Sequence, residues 1–216
     1  MPDPMIEIVR RALGRTEPLK SPPIPPVIDP AIARLTQAGA DLTGVFIQSA
    51  EQAHFKLEQT PPDRIAQVLV EFVQLHQCKK IGIPNSPLFD RLGIPSALAA
   101  AKLDVARWDE STLDAAYDLD CGVTDVYAAV AETGSLVIRP APNHGRALSL
   151  IPAIHVAIVE PSNIVPDLID LLNKIAAEDR APNITIITGP SKTADIEGSL
   201  VTGVHGPGLV QVFLLK

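Results

Sequence analysis

The groups able to do chemistry are densest in residues 184–207, ITIITGPSKTADIEGSLVTGVHGP. Ser191, Lys192, Thr193, Asp195 and Glu197 bring hydroxyls, a cation and carboxylates just past the turn made by Gly189 and Pro190. His205 follows between Gly203 and Gly206. An exposed imidazole in such a turn can move a proton at neutral pH. The backbone at Gly189 and the Ser191 hydroxyl could hold an anion if a helix begins at Thr193, although an ordinary helix cap uses the same residues. Upstream, Glu132 ends an apolar run before a tight turn at Thr133 and Gly134, where its carboxylate could act as base or nucleophile or simply cap the turn. Arg146 closes the loop Pro142, Asn143, His144, Gly145, and its guanidinium could clamp a carboxylate or phosphate in bidentate fashion; His144 shares that loop. His155, flanked by Ile154 and Val156, reads as a core-edge histidine bonded to backbone.

These residues need strands and helices to position them. Residues 4–14 set Ile6, Val9 and Leu13 on one helical face, with Arg10, Arg11 and Arg15 toward the carboxyl end. Pro18, Pro22, Pro23, Pro25, Pro26 and Pro30 then favour an extended linker, so residues 1–28 are expected to form an arm and residues 29–216 an α/β domain. The arm's helix would dock on its own body or on a partner. Asp29 and Pro30 resemble an N-cap and first-turn proline opening a helix to about residue 52, weakened by Gly39 and Gly44. A strand is expected at 54–58, a helix at 65–75 and a strand at 80–83, followed by a helical turn at 88–92. Asp104, Asp109, Glu110, Asp114, Asp118 and Asp120 read as a solvated acidic surface beside a packed Trp108. Residues 127–131 and 136–138 suggest a hairpin, 154–159 a strand, 162–176 a helix and 210–214 the last strand. Strands alternating with helices imply a mostly parallel layered sheet with helices on both faces and an antiparallel addition near 120–140.

Composition narrows the function classes. A formal net charge of −7 argues against nucleic acid and anionic membrane as partners. Cys78 and Cys121 lack CxxC spacing, which excludes an iron–sulfur or zinc site built from cysteine alone. No compact HxxH or HExxH spacing supports a metal site, and no cofactor fingerprint is present, so no cofactor is expected in this chain. Without a basic, apolar leader or a run of roughly 20 apolar residues, a soluble, cytoplasmic protein is expected.

Three segments carry a family resemblance. AETGSLV (131–137), RALSLIPAIH (146–155) and GPSKTADIE followed by LVTGVHGP (189–207) are similar to motifs of the LUD-domain, lactate utilisation protein C family. Arg11, Ala12, Leu13, Gly14 and Arg15 are a weaker echo, and the match covers roughly residues 119–216. The resemblance implies the fold shared by glucosamine-6-phosphate isomerases, ribose-5-phosphate isomerases, CoA transferases and 5-formyltetrahydrofolate cyclo-ligases. It implies a non-redox accessory subunit in oxidation of L-lactate to pyruvate, working with iron–sulfur partner proteins. The alternative is a stand-alone enzyme of the isomerase, CoA-transferase or cyclo-ligase type acting on a small anionic substrate; CoA transferases of that superfamily use a glutamate nucleophile. Residue chemistry and resemblance together nominate Glu132 and His205 as catalytic, with Thr133, Gly134, Arg146, Gly189, Ser191, Thr193, Asp195 and Gly206 binding a small anionic ligand. Glu132, Arg146, Ser191 and His205 are expected to converge at the carboxyl ends of parallel strands.

Overall fold

The computed structural model describes residues 4–15, 29, 34–36, 39–178, 181, 183–193 and 201–216. The chain divides into two units, Met1–Ala33 and Arg34–Lys216. The first contains α1 (Pro4–Ala12), where Arg10 pairs with Glu7 at 2.6 Å one turn away. The proline-rich stretch expected to be a linker falls outside the described residues.

The second unit opens with α2 (Leu42–Gln52), β1 (Lys56–Thr60), α3 (Ile65–Leu75), β2 (Lys80–Ile83), α4 (Pro87–Arg91), α5 (Ile94–Ala100) and β3 (Asp104–Arg107). It continues with β4 (Cys121–Asp125), β5 (Ala128–Val130), β6 (Ser135–Ile138), α6 (Ala147–Leu150), β7 (Ile154–Val159) and β8 (Ile164–Val165). It ends with α7 (Leu168–Ala176), β9 (Thr185–Ile187), β10 (Lys192–Thr193), β11 (Val201–Thr202) and β12 (Leu209–Leu215). The central sheet has the order β1-β12-β7-β4-β2-β3, and every pairing in it is parallel. A smaller sheet, β8-β5-β6-β9, joins β6 antiparallel to both β5 and β9. Among the described residues no helix is long and apolar enough to cross a membrane.

Strand alternation builds a core on each face of the central sheet. Ile81, Ile83, Cys121, Val123, Val156, Ile158, Phe213 and Leu215 face Ile65, Leu69 and Val73 of α3 and Leu98 of α5. The intervening residues Ala157, Val159, Val210, Val212 and Leu214 pack against Phe46 and Ala50 of α2 and against Leu136 and Ile138 of the smaller sheet. Where α6 lies on the sheet the backbone must be bare: a Cβ on Gly122 would stand 1.8 Å from the Leu148 carbonyl oxygen.

Of the helix expected over 30–52, the described residues carry α2 (Leu42–Gln52). Residues 34–36 are not helical, and Gly39 takes φ 85°, a left-handed value that stops propagation before Leu42. The helix at 65–75 forms as expected, whereas the one expected from 162 begins at Leu168. There Asp167 is the N-cap, accepting the Asp170 N–H at 2.8 Å, and Ile164 and Val165 pair with β5 instead. The acidic stretch does more than meet water. Asp104 starts β3, and Asp120 accepts the N–H groups of Lys80 and Lys79 at 2.9 and 2.8 Å, bonds that hold its carboxyl below the ordinary range. Trp108 packs with Ala116, Leu119 and Leu148.

Candidate functional site

A cleft of about 980 Å³ opens where β2 and β4 end. Asp125 is the last residue of β4, and the chain leaving β2 reaches Asn85 and Ser86, the latter at the N-cap position of α4 with Pro87 following. Ser86 Oγ donates to Asp125 Oδ2 at 2.6 Å. His144 Nε2 lies 2.9 Å from the other oxygen, Asp125 Oδ1, without the alignment of a hydrogen bond. Burial works to raise the Asp125 pKa, but the His144 ring and the Ser86 hydroxyl outweigh it and hold the carboxyl below its ordinary range. The loop bearing His144 is tied back on both sides. Asn85 N–H donates to the Asn143 carbonyl at 3.0 Å, Asn143 Nδ2 donates to the Asn85 carbonyl at 2.6 Å, and Ala141 and His144 exchange backbone bonds of 2.9 Å.

The cleft's other end is cationic and aromatic. Lys174 Nζ lies 4.5 Å from the centre of the Tyr127 ring and donates to the Tyr127 carbonyl at 3.3 Å. The Arg139 guanidinium is 5.4 Å from the same ring and pairs with Glu178 at 2.5 Å. Burial, and then the neighbouring Glu178 carboxylate, push the Tyr127 hydroxyl up to about 12. Val126, Pro140 and Pro142 supply apolar wall between the two ends. Polar groups converging in a partly apolar cleft at the carboxyl edge of a parallel sheet are the usual setting of a small-molecule site.

His155 sits one strand away, fully buried, with Nε2 2.8 Å from Thr124 Oγ1. Its partner is a side chain rather than the expected backbone group. Burial, reinforced by His144, lowers its pKa to about 3, so it is neutral at physiological pH, and Nδ1 has no partner.

Apart from Arg146, which follows the cleft residue His144 by two positions at the start of α6, the described residues nominated from sequence lie elsewhere, along a belt near the amino ends of the central strands. Glu132 Oε1 accepts the N–H groups of Leu35 at 2.7 Å and Thr36 at 2.5 Å, so the capping use is the one observed. Thr133 Oγ1 bonds Ser135 Oγ at 2.6 Å, which bonds Thr188 Oγ1 at 2.7 Å. Gly134 and Gly189 flank this hydroxyl chain, both at positive φ and both pressed on the end of α2: added Cβ atoms would stand 2.3 Å from Ala50 N and 2.4 Å from the Ala53 carbonyl oxygen. Ser191 N–H donates to the Pro207 carbonyl at 2.9 Å, and a Cβ on Gly206 would meet Ser191 Cβ at 3.4 Å and the Leu150 carbonyl oxygen at 3.5 Å. Leu150 ends α6, the short helix that follows Arg146. Arg146 and His205 are both exposed. Thr193 is buried and pairs with Val201 across β10 and β11, so no helix begins there to offer an N-terminal anion site. Asp195 lies outside the described residues.

The belt is at the amino side for a topological reason. The strand leading into Gly189, β9, belongs to the smaller sheet and pairs antiparallel with β6, while Ala53 and Pro207 precede central strands rather than follow them. Asn85, Ser86, Asp125 and Asn143 were not nominated from sequence. The Ser86 and Pro87 pair just after an apolar strand was the available signal for that turn.

The fold and the cleft define an α/β protein with a candidate small-molecule site at the carboxyl edge of a parallel sheet. The LUD-domain family matches residues 43–215, and this chain belongs to that family. The chain is 33% identical over 175 residues to the lactate utilization protein C of Halalkalibacterium halodurans, covering 77% of this chain and 75% of that one. It is 34% identical over 188 residues to the protein of the same name from Macrococcus caseolyticus, covering 83% and 79%. In fold it is similar to the crystal structure of a DUF162 family protein from Deinococcus radiodurans, with a TM-score of 0.62 at 21% identity over 84% of this chain and 100% of that one.

Proposed function

We propose that this chain is a non-redox subunit in the oxidation of L-lactate to pyruvate, acting alongside iron–sulfur partner proteins. The observation that carries this reading is the similarity to lactate utilization protein C from several bacteria over about three quarters of both chains. Two features are in keeping with it. The cysteines, Cys78 and Cys121, are both buried in the core behind α3, a setting for packing rather than cluster ligation. The carboxyl-edge cleft has the polar groups to receive a small anion. In this reading Arg146 and His205, both exposed, are contacts for a partner or anion, with Thr133, Gly134, Gly189, Ser191, Thr193 and Gly206 supporting them. Glu132 serves as an anchor for residues 35 and 36.

The test is capture of the tagged full chain from its native cells grown on L-lactate, with iron and acid-labile sulfide measured in what co-purifies. Iron-bearing partners in fixed ratio, together with loss of growth on L-lactate when the gene is deleted, are expected. Unimpaired growth of the deletion strain overturns the reading. The second reading, an enzyme acting alone, is favoured by one observation, the Ser86, Asp125 and His144 contacts at the cleft, which pose an acid–base pair where a substrate could reach it. Turnover of a small anionic substrate by the isolated chain, abolished by Asp125→Asn, would decide for it.

A further inference from the structure

The central sheet ends in an open edge. β1 pairs with β12 on one side, and among the described residues no strand pairs with its other side. The Thr60 carbonyl accepts the Lys216 N–H at 3.2 Å, so strand alternation turns the N–H and C=O groups of Leu57 and Gln59 outward, away from β12. Beside that edge α3 carries an apolar stripe at helical spacing that the core leaves uncovered: Leu75 is 77% exposed, and Val68 and Phe72 are half-buried. The stripe and Glu58 line one hollow of about 400 Å³. On the strand itself, Lys56 is exposed and pairs with no carboxylate among the described residues, and Glu58 takes only the Thr60 hydroxyl, at 3.4 Å. Unmet main-chain groups next to uncovered apolar surface make this edge a template for another strand.

We infer that this edge is the contact surface for a second copy of the chain, the two β1 strands pairing antiparallel about a two-fold axis at Leu57. The charges select that register. With Leu57 opposite its own counterpart, each Lys56 stands opposite the other copy's Glu58, and the outward N–H and C=O groups of the two Leu57 residues bond each other. Sliding the strands by one pairing step sets Glu58 against Glu58 in one direction and Lys56 against Lys56 in the other, and like charges opposite one another are unfavourable. The same axis brings the apolar surfaces together. Glu58 lies beside Phe213 in the sheet, on the face that α3 covers, so the two α3 helices fall on one face with Val68, Phe72 and Leu75 turned toward the partner. On the opposite face the half-buried Leu57, packed at the margin of the core behind α2, meets Leu57 of the second copy. A ladder of five residues is too short to hold two chains by itself, and the helix stripes supply the apolar part of the contact. Such a contact is closed, whereas joining β1 to β3, the sheet's other edge, would propagate without end.

The experiment is sedimentation velocity of the full chain at low ionic strength, from about 1 to about 100 µM, with thermal melts showing that each variant is folded. A monomer in equilibrium with a dimer is expected for the wild type. Lys56→Glu and Glu58→Lys each set like charges opposite one another twice per dimer, and each should weaken the dimer by about tenfold or more. An equimolar mixture of those two variants restores both pairs of opposite charge, so it should dimerise to within about threefold of the wild type. Leu75→Asp, which places a carboxylate in the helix contact, should also weaken the dimer about tenfold. A wild type that stays monomeric at the highest concentration, or whose mass keeps growing past the dimer, overturns the proposal. A dimer that neither charge variant weakens, or a mixture that stays as dissociated as its components, overturns the strand register, and a dimer indifferent to Leu75→Asp overturns the helix contact.

Discussion

Glu132 Oε1 accepts the Thr36 N–H at 2.5 Å, joining residues 96 positions apart. The same oxygen takes the Leu35 N–H, and Arg34 reaches Asp167 at 2.9 Å and Asp170 at 2.6 Å at the start of α7. Residues 34–36 are therefore fastened at two points to the smaller sheet and its covering helix. Glu132→Ala should destabilise the full chain by about 2 kcal/mol, because two charge-assisted bonds go and two N–H groups lose their acceptor. Glu132→Gln, which keeps an acceptor oxygen, should cost about half that. Urea unfolding measures both, and an unchanged midpoint in Glu132→Ala would show that the clamp contributes nothing.

His155 makes stability depend on pH. Its pKa is about 3 in the folded chain against an ordinary value of 6.5, so the unfolded state takes up a proton first as pH falls. Its contribution is fully present above pH 6.5 and is lost as pH falls toward 3, at about 1.4 kcal/mol per pH unit in that window. Asp125, also held below its ordinary range, adds a loss confined to still lower pH, below about 4. Denaturant unfolding between pH 7 and pH 4.5 should show the slope. His155→Gln should start less stable and lose most of the slope; a slope as steep as wild type in that variant would assign it elsewhere.

Gly122→Ala should fail to give a native fold. A Cβ there would stand 1.8 Å from a main-chain oxygen of α6, which cannot move without lifting that helix off β4. The expected cost exceeds about 3 kcal/mol. Circular dichroism and solubility are the readouts, and a variant melting within a few degrees of wild type would mean that α6 shifts easily.

Removal of residues 1–28 should leave the second unit folded, because among the described residues its cores and the fastening of residues 34–36 are built from residues 34 onward. The melting temperature of 29–216 should lie within a few degrees of the full chain. A drop of more than about 10 °C, several kcal/mol for a domain of this size, would make the removed segment part of the fold.

The elements legible in the sequence are those whose residues record their own surroundings. Ile65, Leu69 and Val73 repeat at helical spacing and form the buried face of α3, and the β-branched run of β7 is buried as a central parallel strand should be. The LUD-type motifs were legible for the same local reason, since their glycines at 134 and 189 meet the end of α2 with no room for a side chain. What the sequence alone misassigned depended on partners far along the chain. Residues 34–36 carry no signal that a glutamate near position 132 will take their N–H groups and keep them from helix. The edge of the sheet to which each loop goes was likewise invisible, because a strand's direction is set by its neighbour. β9 pairs antiparallel with β6, which sends Gly189 and Ser191 to the amino side. β4, paired parallel with β2 and β7, carries Asp125 to the carboxyl edge, where Ser86 and His144 meet it. Periodicity is a property of a segment and survives in the sequence, whereas strand order and direction are properties of the assembled sheet, and the cleft is built from those.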